Sequence, residues 1–90
     1  MPRSDPGRVT ITEEGRSGSV TCHLEDRTVT GWWEFAGGDA LALVHLDLPT
    51  GWPPDRRDAF LRLVADEVIR QKCPGHRAEL DAGGGWITIR

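Results

Sequence analysis

The hydrophobic period of this chain changes once and then changes back, and that excursion limits the fold more than any other feature. Before Pro53 apolar residues recur at every second position, as in "RVTIT" and "SVTCHL", which is the period of a half-buried strand. Across "PPDRRDAFLRLVADEVIRQKC" the spacing becomes helical, with Phe60, Leu61, Val64, Ala65 and Val68 on one stripe. Prolines stand at its start, Asp55 and Asp58 suit the positive end of the helix dipole, and Pro74-Gly75 stops it. Beyond that point "HRAELDAGGGWITIR" returns to alternation. Strands, then one amphipathic helix over about 54–73, then one or two closing strands define an α+β domain. A helix of this length is roughly 28 Å long, comparable to an eight-residue strand, so it can lie along one face of a sheet.

Four alternating segments precede the helix and predict an antiparallel β-meander: "RVTIT", "SVTCHL", "TVTGWWEFA" and "DALALVHLDL". Gly37-Gly38 supplies the positive φ angles of a two-residue hairpin. That turn sets Phe35 opposite Ala40, Trp33 opposite Ala42, Gly31 opposite Val44 and Val29 opposite Leu46. A turn at Asp26-Arg27 sets Leu24 opposite Val29, Cys22 opposite Gly31 and Val20 opposite Trp33, which continues the same apolar face. The expected core is Val20, Leu24, Val29, Trp33, Phe35, Val44, Leu46, Phe60, Val64 and Val68. In the C-terminal segment Ala78 and Leu80 face Ile87 and Ile89 across a glycine turn, but nothing in the sequence says where this pair joins the meander. Residues 1–7, "MPRSDPG", read as a loose tail, leaving 8–90 as one domain.

Trp32 and Trp33 adjoin each other in the third strand, and a pleated strand must send them to opposite faces. Trp33, in step with Val29 and Phe35, belongs under the helix. Trp32 then faces away, opposite Leu43, with Glu34 opposite Leu41. An apolar cluster of Trp32, Leu41 and Leu43 on the helix-free side needs a cover. The sequence leaves three covers open: a second copy of the chain, another protein, or the chain's own C-terminal strands. The first two make the protein a small soluble interaction module.

The same register sets His23 opposite Thr30 and Thr30 opposite His45, a row in which small-molecule binding or acid-base chemistry is conceivable. Two strand spacings separate the imidazoles by about 9 to 10 Å, and no third ligand converges. Solvent-facing histidines are the simpler reading, and neither a metal nor a cofactor is expected. No G-x-S-x-G and no activated-thiol setting accompanies Ser, Cys or His, so no catalytic residue is assigned. Cys22 in a strand and Cys73 before Pro74-Gly75 read as free thiols, as befits a reducing compartment. "AGGGW" lacks the spacing and the following helix of a phosphate loop and reads as a hairpin turn. Trp52, in "PTGWPP", reads as a lid over the end of the core.

Charge narrows the partners. The net charge of −3 disfavours nucleic acid and anionic membrane, both of which call for concentrated basic surface. The helix arginines do not supply one, because Asp58, Arg62, Asp66 and Arg70 alternate in sign at i, i+4 spacing. No apolar run reaches membrane-span length and "MPRSDPGR" lacks a signal-peptide core, so a cytoplasmic protein is expected.

Overall fold

The computed structural model describes residues 8–24 and 27–90; the expected tail and Asp26 of the expected turn lie outside them. The strands are β1 (Arg8–Ile11), β2 (Ser17–His23), β3 (Thr28–Phe35), β4 (Ala42–Leu46), β5 (Ala78–Asp81) and β6 (Trp86–Ile89), with the helix α1 (Pro54–Lys72) between β4 and β5. They form one six-stranded sheet in the order β1-β2-β3-β4-β6-β5, antiparallel throughout. The C-terminal hairpin thus joins the meander through β6, which pairs with β4 and leaves β5 at an edge. Within that hairpin Ala78 opposes Ile89 and Leu80 opposes Ile87, as the alternation predicts.

The helix packs on one face of the sheet. Phe60, Leu61, Val64, Ala65 and Val68 meet a layer that includes Val20, Cys22, Val29, Val44, Leu46, Ile87 and Ile89, all buried. Pro54 occupies a first-turn position where a missing N–H costs nothing, and at the far end the Cys73 N–H donates to the Ile69 carbonyl at 3.0 Å. Trp52 is buried as the expected lid, edge-on to Phe60 at 5.2 Å, with the Arg56 guanidinium 4.1 Å from its ring centroid. Arg57 fixes the start of the helix by donating to the Ala82, Pro49 and Gly83 carbonyls at 3.0, 3.2 and 3.1 Å. The alternating ladder at Arg70 gives way to an exposed pair with Glu67 at 2.7 Å.

Both meander registers differ from expectation by two residues, an even step that keeps the residues paired within the strands on their predicted faces. Between β3 and β4 the connection is longer than a two-residue turn: the Ala36 N–H donates to the Leu41 carbonyl at 3.0 Å, with Gly38 at φ +78° inside the loop. Trp33 consequently opposes Val44, Phe35 opposes Ala42, and Gly31 opposes Leu46. Between β2 and β3 the Leu24 N–H closes onto the Arg27 carbonyl at 2.8 Å, so that Cys22 opposes Val29, Val20 opposes Gly31 and Gly18 opposes Trp33.

The second shift has a packing reason. The Trp33 indole reaches across Gly18 and its Nε1 donates to the Thr12 carbonyl at 2.8 Å. A Cβ at Gly18 would sit 2.7 Å from that nitrogen and would collide with the Thr12 carbonyl. Only a residue without a side chain gives the ring this path.

Two expected core residues sit less deeply than predicted. Leu24 is half-buried, and Phe35 is 43% exposed, edge-on to Trp33 at 5.2 Å and under the Arg16 guanidinium at 5.8 Å. Phe35 ends β3 and lines an apolar cleft of about 250 Å³ with Trp33, Leu41, Val68 and Ile89, at whose rim Lys72 pairs with Glu13.

Candidate aromatic interface on the open sheet face

On the face away from the helix, one register row runs Ser19, Trp32, His45, Trp86 and Asp81 from β2 to β5. Three of these side chains are aromatic and touch. Trp32 stacks on His45, with centroids 5.8 Å apart and planes 29° from parallel. His45 meets Trp86 at 4.6 Å, and Trp86 stands edge-on to Trp32 at 5.6 Å and 86°. The cover expected from the C-terminal strands therefore exists in part. It leaves Trp32 41% exposed, whereas its neighbour Trp33 is only 9% exposed on the other face.

The remaining predicted interface residues divide. Leu43 is half-buried in β4, opposite Glu34 and Thr88, in the row next to Trp32. Leu41 does not belong to the cluster: it packs against the core and lines the inner cleft. The reason is the longer β3–β4 loop, which makes Leu41 the closing residue of the loop; its carbonyl accepts from Ala36 and its N–H donates to Ile89 at 2.7 Å.

The histidine row does not form. His23 opposes Thr28, with 3.5 Å between Nδ1 and Oγ1; Thr30 opposes Thr21; His45 opposes Trp32. Thr28 and Trp32 are four residues apart on β3, so the two imidazole rows are separated by about 13 Å along the strands. The shift of two in each hairpin moves the histidines to different ends of the face. Neither His23 nor His45 lines the apolar cleft or the shallow one beside His76. Among the described residues no group of three His, Cys, Asp or Glu side chains is arranged to hold a metal ion. Both cysteines are free, and burial pushes the Cys22 thiol up to about 11 and raises that of Cys73 as well, the opposite of an activated thiolate.

Trp86 is the site residue that sequence reasoning missed. The signal was there: if Ile87 and Ile89 point inward, alternation sends Trp86 outward, onto the face of Trp32. What the sequence lacked was the adjacency of β6 to β4, a long-range pairing that local periodicity does not encode.

Among the described residues no helix is long and apolar enough to cross a membrane. The fold and this face define a class, a small α+β domain with a helix-backed sheet whose open face carries a partly exposed aromatic cluster. Compared with known proteins, the chain matches no family model, no curated protein and no solved structure.

Proposed function

We propose that the protein is a small interaction module that engages a second copy or another protein through the open sheet face. The observation that carries this reading is the exposure of Trp32 beside Leu43 and Trp86 on the face the helix does not cover. A tryptophan whose ring is held by neighbouring rings loses little conformational freedom on docking, so more of its burial survives as affinity. Glu34, opposite Leu43, supplies a charged border of the kind that surrounds an apolar centre. The alternative reading, a small-molecule or enzymatic site built from His23, His45 and Thr30, requires a convergence that the register does not make.

Light scattering coupled to size exclusion over a wide concentration range, together with cross-linking to proteins copurifying with the native chain, tests this. Trp32→Arg should retain the far-ultraviolet circular dichroism and a cooperative melt while losing the dimer or the cross-linked partner. A native protein that stays monomeric, with the same cross-links formed by Trp32→Arg, would refute the proposal.

A further inference from the structure

Resting on that reading of the face, we infer that what Trp32 and Trp86 receive is a cation, specifically an arginine or lysine side chain of a protein partner. The two indoles stand 86° apart with centroids at 5.6 Å, and His45 closes the angle between them. His45 takes one face of Trp32, and the indole surface left exposed carries the π electrons that attract a guanidinium or ammonium.

The surrounding charge has the matching sign. Asp81 opposes Trp86 in register, and its Oδ1 accepts from the Gly84 N–H at 3.3 Å. A Cβ built at Gly84 would lie 3.2 Å from Asp81 Oδ2 and 2.9 Å from Trp86 Cδ1, which locates this carboxylate at the edge of the indole. Glu34 lies two residues beyond Trp32 on the same face. Among the described residues neither Asp81 nor Glu34 forms an ion pair, whereas Glu79, in the next row, is matched by Arg90 at 3.0 Å.

Three described arginines already cover other rings. Arg16 covers Phe35, and Arg27 and Arg56 cover Trp52; among the described residues none covers Trp32 or Trp86. Arg8 and Arg77 each sit four residues, about 13 Å, along their strands from the row of Trp32. An acidic or nucleic-acid partner would meet like charge on this face, and a purely apolar one would strip water from unpaired carboxylates.

Titration of the full chain with hexa-arginine, with hexa-glutamate as control, tests this through the four indole N–H resonances. Hexa-arginine should shift Trp32 and Trp86 saturably and leave the buried Trp33 and Trp52 unmoved. Asp81→Asn and Glu34→Gln should each weaken binding about two- to fivefold, and Trp32→Ala by a similar factor or more, with unfolding curves confirming that each variant is folded. The inference falls if hexa-arginine leaves both indoles unmoved, if hexa-glutamate moves them equally, or if the shifts are indifferent to these variants. Self-association or cross-linking that depends on Trp32 while hexa-arginine does nothing would leave the interface standing and remove only the cation.

Discussion

Trp32 and Trp33 offer a comparison with chemistry and backbone position nearly held constant, so truncating each to alanine isolates what the two faces of β3 are worth. Trp33 is 9% exposed, packs edge-on to Phe35 and donates to the Thr12 carbonyl at 2.8 Å. Removing it opens a cavity between β2, β3 and the helix layer and takes the hydrogen bond from Thr12, for about 3 to 5 kcal/mol. Trp32 leaves no closed cavity, because solvent reaches the space; it loses its two aromatic contacts, each about 0.5 to 1.5 kcal/mol and so about 1 to 3 kcal/mol together, and the burial of the covered part of its ring, without a cavity cost. A domain of this length has a total stability of about 5 to 13 kcal/mol, so the Trp33 variant loses a large share while the Trp32 variant keeps most of it. Urea unfolding followed by far-ultraviolet circular dichroism measures both, with equal slopes expected for the two variants. A Trp32→Ala cost equal to or above that of Trp33→Ala would refute the assignment of faces, and the interface with it.

Three further outcomes follow from particular contacts. Gly18→Ala should destabilise by about 2 to 4 kcal/mol in urea unfolding, since a methyl there forces the Thr12 carbonyl away and orphans the Trp33 N–H. Arg57→Ala should cost about 1 to 3 kcal/mol and raise amide hydrogen exchange at Gly85, whose turn loses two of the carbonyl contacts that hold it to the helix. The Cys22 thiol is raised from 9.0 to about 11 by burial, so the folded state holds its proton longer than the unfolded chain; stability is unaffected below pH 9 and falls by about 2 to 3 kcal/mol as pH rises to 11, a loss that Cys22→Ala should not show.

The faces of the sheet were legible in the sequence and the rows across it were not, for one physical reason. Side-chain direction follows from a local period of two, which Val29, Trp33, Val44 and Leu46 display without ambiguity. Register depends on loop length, and Gly37-Gly38 reads as a complete two-residue turn although the hydrogen bond that closes the loop lies at Ala36 and Leu41. An error of two residues costs nothing in the burial pattern, so no apolar residue protests against it. It does rearrange partners: Leu41 leaves the outer cluster, His45 moves from Thr30 to Trp32, and the histidine row dissolves.

Trp86 shows the second limit and binds the structure to its proposed use. Its strand is the last in the chain, yet it pairs with β4 in the middle of the sheet, which brings an indole from the C-terminus against one from β3. Without β6, Trp32 would have only the His45 imidazole of β4 beside it. With it, the ring gains a perpendicular indole neighbour and the carboxylate of Asp81 carried in by β5. The inward residues of the same hairpin, Ile87 and Ile89, are fully buried under the helix, so the element that completes the core also completes the outer site. Loosening the hairpin at the helix end, as Arg57→Ala does, should therefore weaken hexa-arginine binding even though Arg57 lies far in sequence from Trp32 and Asp81. Unchanged affinity in that variant, with exchange at Gly85 clearly raised, would show that the Trp86 ring holds its place without the turn.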